Sequence, residues 1–379
     1  MKQQHISILQ ISNSRVFGGN EEHIRALIKY LDKEKFSVFT AVPENSEFGA
    51  VLKNEGFEIA YNEITSKFSF RSLKNIMRII REKNIHIIHT HNRREDLLGA
   101  VASLIRGIPH VITIHDRINM NQEGKRVNNF NARFYKFVLK HMSKKIIAVS
   151  DATKEDLVQE LKINKNKVIH IVNGTDFERL SLDLDTHKEK EKLVGIIARV
   201  RNKQVGKKGH LYFLHACKIV LEGHKNAAFA ICGEDSITRE YLESICRELN
   251  IHEHVRFLGY RKDIANVISM CDVIVQPSLF EGLPRVLVEA MYLGKAVVGT
   301  DVDGIREIIE HGKTGLLIPS KDARSLAGAI IQLLDNENLA KELGRNAGEF
   351  IKSNYDARVM AQQTELLYQK LLGKSGVFS

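Results

Sequence analysis

Short apolar, β-branched runs alternate with stretches of helical periodicity from one end of this chain to the other. Few folds accommodate that rhythm. In the first half the runs predict strands at 6–11, 37–42, 58–61, 85–90, 110–114, 145–149 and 167–171, with helical patterns such as 22–31, 72–83, 96–105, 130–142 and 151–161 between them. The second half repeats the alternation with strands at 192–198, 227–232, 255–258, 272–276, 296–299 and 316–318. Successive strands joined through helices run parallel, because the chain must cross back over the sheet before each new strand begins. At 379 residues the chain exceeds what one core usually organises. Residues 175–191 are dominated by Asp, Lys and Glu without apolar periodicity and read as a surface linker. The expected class is therefore α/β, with two doubly wound, Rossmann-like domains at 1–175 and 192–356, a linker at 176–191 and a C-terminal helix at 357–379. Apolar residues at Val359, Met360, Leu366, Leu367 and Leu371 leave that helix two fates: closing the second domain or crossing back to the first.

Composition narrows the surroundings. The formal charge of +10 falls entirely on one side of the linker, since 1–175 carries 28 Lys and Arg against 18 Asp and Glu, and the remainder is balanced. A basic first half predicts an anionic partner, with a membrane surface favoured over nucleic acid because no nucleic-acid recognition motif is present. No apolar run approaches the ~20 residues of a membrane-spanning helix, and the N-terminus reads as a strand rather than a signal peptide. The four cysteines (Cys217, Cys232, Cys246, Cys271) are widely spaced and read as reduced thiols of a cytoplasmic protein.

The richest stretch is 277–318. An apolar run ends at Pro277, a loop carries Glu281 and Gly282, and Pro284 opens a helical pattern that holds Glu289. A helix N-terminus after a buried strand offers free N–H groups and a positive dipole end to phosphate. Carboxylates repel phosphate, so the two glutamates fit hydroxyl groups better. Phosphate donors beside hydroxyl acceptors describe a sugar-nucleotide site. After the first strand of the second domain, Arg199, Lys207, Lys208 and Gly209 place cations and a glycine helix entry where such folds bind anions. Gly18-Gly19 follows the first strand, and paired glycines let a backbone approach a ligand and take positive φ. Asp301 and Asp303 mimic a short metal-binding motif, but without a third ligand they read as loop residues. The segment 125–145, with Phe130, Phe134, Phe137 and Val138 among cations, has two readings: a core-packing helix with a charged outer face, or a basic aromatic rim that touches anionic lipid. Residues 66–71 add two more aromatics beside cations.

Together these residues resemble glycosyltransferase family 4, the retaining, nucleotide-sugar-dependent transferases of the GT-B fold. The resemblance spans nearly the whole chain. It is carried by Gly18-Gly19, His115, Asn173-Gly174, Arg199 with Lys208-Gly209, Phe257–Gly259 and, most specifically, by the glutamate pair Glu281 and Glu289. It implies two domains facing each other across a cleft, with Arg199 and Lys208 binding the donor diphosphate and Glu289 the ribose hydroxyls. Glu281 would hold the donor sugar's hydroxyls near its 3-position, and His115 would face that sugar from the opposite domain. Gly19, beside Gly18, would approach the phosphate or the acceptor. The backbone around Tyr260 would meet the base. After Gly282, the amides of Leu283, Pro284, Arg285 and Val286 would meet the phosphates, and Asn173 completes the donor-side set. Where the family commonly has Gly-Gly this chain has Asp303-Gly304, so no ligand contact is carried onto Asp303.

The implied reaction moves a sugar from a nucleotide diphosphate sugar, of UDP type, to a glycan or lipid-linked acceptor of surface polysaccharide or lipopolysaccharide synthesis. It needs no metal or other cofactor and takes place in the cytoplasm or on the inner face of its membrane. Fixed cations and a helix N-terminus would stabilise the leaving diphosphate. Competing expectations are a sugar-nucleotide epimerase or phosphorylase of the same architecture, and a non-catalytic sugar-nucleotide-binding regulator.

Overall fold

The computed structural model describes residues 5–64, 69–115, 130–180, 191–200 and 205–373. Asp116, positions 66–68 of 66–71, the start of the 125–145 segment, the centre of the linker and positions 201–204 of the cationic loop lie outside the described residues. The chain divides into two compact units. The first takes the described residues up to Gly174 together with the chain from Ala357 onward, and the second takes Thr175–Asp356.

The first unit is built on a parallel sheet of β1 (Ile6–Ile11), β2 (Phe36–Val42), β3 (Glu58–Tyr61), β4 (Ile87–Thr90), β5 (His110–Ile114), β6 (Lys145–Ala148) and β7 (Val168–His170), in the order β3-β2-β1-β4-β5-β6-β7. Every residue of β4 and β5 is buried, the polar His89, Thr90, His110 and Thr113 included, so neither strand shows the in-out alternation of a half-exposed sheet. The helix Ala357–Leu371 completes this unit. Its Ala357, Met360, Ala361, Leu367 and Tyr368 share a core with Ile6, Ile8, Ala26 and Leu27. Glu365 accepts a hydrogen bond from the Asp32 amide at 2.6 Å.

The second unit holds β8 (Leu193–Val200), β9 (Ala228–Glu234), β10 (Val255–Phe257), β11 (Val273–Gln276), β12 (Ala296–Thr300) and β13 (Leu316–Ile318), in the order β10-β9-β8-β11-β12-β13. Its core gathers Val194, Ile196, Phe213, Phe229, Val275, Val298 and Leu326 from strands and covering helices. In each unit the strand order reverses beside the first strand, between β1 and β4 and between β8 and β11. Loops diverge at such a point and open a crevice at the carboxyl ends of the strands.

Three expectations change. The linker starts as a packed turn, because Phe177 is buried and stacks on Tyr292 with ring centroids 3.9 Å apart. The helical patterns at 130–142 and 151–161 each pass from an α-helix into a wider π turn, at Val138–Met142 and Asp156–Glu160. Phe134 and Phe137 point outward, 38% and 52% exposed, so they do not form the core face of their helix. Tyr135 sets that register instead, since its hydroxyl donates to Asp96 Oδ2 at 2.5 Å and draws Tyr135, Val138 and Leu139 inward.

Candidate functional site

In the second unit the crevice lies between the loops that leave β8 and β11. Gly209 closes the β8 loop as the cap of helix His210–Gly223, at φ 76°. A side chain there is doubly excluded, because an added Cβ would stand 1.9 Å from the carbonyl oxygen of Pro277 on the other loop. The Leu279 amide donates to the Lys207 carbonyl at 2.9 Å, and the Lys207 ammonium lies 4.6 Å above the Phe280 ring. The two loops are therefore one structure.

That seam brings Lys208 and Glu281 together, with Nζ 2.5 Å from Oε1. The same carboxylate oxygen accepts from Ser278 Oγ at 2.8 Å and Gln276 Nε2 at 3.3 Å. Glu281 is buried while Lys208 keeps about a quarter of its side chain exposed, at 26%. Three donors on one oxygen fix the carboxylate in place. Gly304 approaches just as closely from behind: an added Cβ would lie 1.6 Å from the Gly282 carbonyl, and its amide donates to the Glu281 carbonyl at 3.3 Å. The Asp301 carboxylate pairs with Arg306.

Glu289 sits inside helix Arg285–Tyr292, buried to 3% exposure. Pro284 caps this helix rather than occupying its first position. Proline has no amide hydrogen, so Leu283, Arg285 and Val286 supply the N–H groups at this end and Pro284 supplies none. Glu289 bonds the guanidinium of Arg179 and has Arg285 3.8 Å away, one turn back. Arg179 was not anticipated, because it lies in the stretch read as linker; the lone Phe177 two residues before it was the available signal.

Farther along the sheet edge, the Arg199 guanidinium stands 6.0 Å above the ring of Tyr260, which is 61% exposed. Behind them Glu234, at the end of β9, accepts the Gly259 amide at 2.7 Å, and its carboxyl is raised from the usual range mainly by burial. Its other oxygen, Oε2, is buried without a hydrogen-bond partner among the described residues. Arg199, Lys208, Tyr260, Glu281 to Val286 and Glu289 thus all line the carboxyl edge of one sheet.

The first unit holds the remaining expected residues. Gly18 caps helix Gly19–Tyr30 in an extended conformation, φ −143°, so the glycine pair does not take the positive φ expected of it. What limits Gly18 is space, since an added Cβ would lie 3.1 Å from Glu21 Oε2. A groove of about 480 Å³ opens beside it, lined by Asn13, Asn20, Glu21, Asn92, Arg93 and Glu95 among others. Burial raises the carboxyls of both Glu21 and Glu95.

His115 is half-buried at the end of β5 and does not stand alone. His91 Nδ1 is 3.3 Å from His115 Nε2, and His23 packs edge-on against both rings. Asn173 Oδ1 accepts from His23 Nδ1 at 2.7 Å, and Gln10 Oε1 accepts from His91 Nε2 at 2.7 Å. Burial and the neighbouring rings hold His91 well below the usual histidine range. The histidines come from three separate segments of sequence. His115 was expected from the resemblance, whereas His91, just beyond β4, and His23, within a helix, were not.

The chain's likenesses to known proteins agree with this geometry. The family model described as Glycosyltransferase Family 4 matches residues 17–179, and that described as Glycosyl transferases group 1 matches 184–350. The UDP-Gal:alpha-D-GlcNAc-diphosphoundecaprenol alpha-1,3-galactosyltransferase of Escherichia coli is 26% identical over 71% of this chain and 71% of its own. The N,N'-diacetylbacillosaminyl-diphospho-undecaprenol alpha-1,3-N-acetylgalactosaminyltransferase of Campylobacter jejuni is 25% identical over 94% of this chain and 97% of its own. Among solved structures, Anabaena HepE in complex with UDP and glucose matches with a TM-score of 0.83 at 21% identity, covering 97% of this chain and all of that one.

Proposed function

This chain belongs to glycosyltransferase family 4 and has the GT-B fold, and from that premise we propose that it is a retaining, metal-independent hexosyltransferase that moves a sugar from a UDP-sugar to a lipid-linked glycan. The observation that carries the reading is the Lys208–Glu281 pair. A cation for a diphosphate and a carboxylate for sugar hydroxyls stand side by side at the switch point of the second sheet.

Cleavage of the anomeric bond builds negative charge on the departing diphosphate. Lys208, Arg199 and the N–H groups of Leu283, Arg285 and Val286 are the groups we assign to that charge, in the role a metal ion fills elsewhere. Glu281 holds the transferred sugar, and Glu289, fixed by Arg179, receives the ribose. The base lies along Gly259 and Tyr260, where Glu234 Oε2 is an acceptor for a ring N–H. Retention follows if the acceptor hydroxyl attacks from the face the diphosphate leaves, the departing phosphate taking its proton. His115, Gly18, Gly19 and Asn173 keep, as proposals, the donor-side roles that the family resemblance gives them.

For the acceptor, the first unit offers the groove beside Gly18 and a larger one, of about 800 Å³, where Arg71, Lys74, Arg78, Arg81 and Arg106 outnumber the carboxylates Glu44 and Glu63. Phe70 at the head of the latter's helix is 85% exposed. Among the described residues no helix is long and apolar enough to cross a membrane. A lipid-linked acceptor would then be met at an anionic membrane surface through this basic, aromatic face.

The test is transfer from UDP-sugars to an undecaprenyl-diphosphate-linked acceptor, with and without EDTA. Lys208→Ala and Glu281→Ala should each lower kcat by about 10²–10³, as losing one charge-stabilising group does, and EDTA should leave the wild-type rate intact. Near-normal turnover in both variants would sink the site assignment. Loss of the rate in EDTA would sink metal independence.

A further inference from the structure

We propose that His23, His91 and His115 form a binding site for a zinc-class divalent ion, and that its occupancy switches transfer off. One ligand atom from each ring lies within 4.8 Å of those of the other two. Nitrogens bound to tetrahedral zinc at about 2.0–2.1 Å stand ~3.3 Å apart, and His91 Nδ1 and His115 Nε2 are already 3.3 Å apart. His23 brings the third ligand atom within 4.8 Å of these two.

The surroundings of two of these rings are those of metal-binding histidines. Gln10 Oε1 faces His91 Nε2 and Asn173 Oδ1 faces His23 Nδ1, each at 2.7 Å. A carboxamide oxygen only accepts, so those two nitrogens carry the hydrogens and the opposite nitrogen of each neutral ring is left with a lone pair. Fixing a ring through its other N–H is the arrangement that orients histidine toward a metal and raises its basicity. Gln10 is itself held, its Nε2 lying 3.3 Å from the Tyr368 hydroxyl. His115 supplies the third nitrogen by moving its proton from Nε2 to Nδ1 within the ring. Imidazole donors suit zinc, copper or nickel and do not suit magnesium or calcium.

The regulatory consequence rests on the donor-side role proposed for His115. A ring whose Nε2 is bound to an ion no longer offers that nitrogen to a sugar, so the ion acts as an inhibitor and not as a cofactor.

The experiment uses the full chain without a histidine tag. Titration with Co²⁺ should give the visible absorption of tetrahedral cobalt at one ion per chain, and Zn²⁺ should displace it. His23→Gln and His91→Gln, checked for folding by circular dichroism, should each weaken binding by at least ~100-fold, more than the loss of an outer partner costs. Zn²⁺ should abolish transfer and EDTA should restore it. Absence of the cobalt spectrum in the wild type, or unchanged affinity in both folded variants, overturns the site. Binding without effect on transfer overturns the inhibition. If His115→Ala loses transfer while the wild type binds no ion, the donor-side reading stands and this inference fails.

Discussion

Asp96 is a carboxyl that folding strips of water. It lies wholly buried beneath Thr90 Oγ1 and the Tyr135 hydroxyl, and burial pushes its pKa from 3.8 up to about 8. The folded protein therefore keeps a proton that the unfolded chain releases above the ordinary carboxyl range. Its contribution to stability is full at acid pH and is lost as pH rises toward 8, at about 1.4 kcal/mol per pH unit. Asp96→Asn removes that dependence. Denaturant unfolding between about pH 5 and 7.5 should show the variant gaining ~3 kcal/mol relative to wild type across the window, and parallel profiles would refute the buried proton. Such residues differ in how plainly the sequence announces them. Lys208 and Glu281 lie in the loops that follow strands whose apolar runs can be read directly, and so their place at one sheet edge was legible. Arg179 was hidden among the charges of an apparent linker. The histidine cluster was hidden because only folding brings positions 23, 91 and 115 to one point.

At the scale of elements, the second unit's site depends on two backbones that nearly touch. Gly209 has both a left-handed φ of 76° and the Pro277 carbonyl where a side chain would begin. Gly206, three residues earlier in the same loop, has open space around its Cβ position and no positive φ. Gly209→Ala should cost at least ~1–2 kcal/mol from backbone conformation alone, and the displaced seam should weaken UDP binding by ten-fold or more, because it also positions Lys208 against Glu281. Gly206→Ala should leave both melting temperature and affinity unchanged. Calorimetry on the pair checks this, and equal behaviour of the two variants would remove the seam from the argument. The strands were the most legible elements, since parallel strands buried on both faces leave unbroken apolar runs between helical patterns. Of the two readings of the helix at 130–137, the one that makes its phenylalanines a core face fails. Its aromatic residues look like a core face, yet the Tyr135–Asp96 bond turns Phe134 and Phe137 outward.

For the whole molecule, the excess positive charge of the first half and the exposed Phe70, Phe134 and Phe137 belong to one unit. Flotation with liposomes should recover the protein on anionic but not on neutral lipid, and salt near physiological strength should weaken the capture, since screening sets in over ~8 Å. Equal recovery on neutral lipid, or none on either, would rule out the charged face as the anchor. The return of helix Ala357–Leu371 to the first unit has another consequence, this one for synthesis. Tyr368 fills the core beside Phe36 and reaches His89 at 2.6 Å, so the N-terminal unit lacks a wall until residue 371 has been made. Translation at ~5–20 residues per second needs roughly 10–40 s to travel the intervening stretch of roughly 200 residues. During that interval the half that emerged first waits on the ribosome with its core open, while the second half is still being made and gains its last residue, Asp356, just before the returning helix begins.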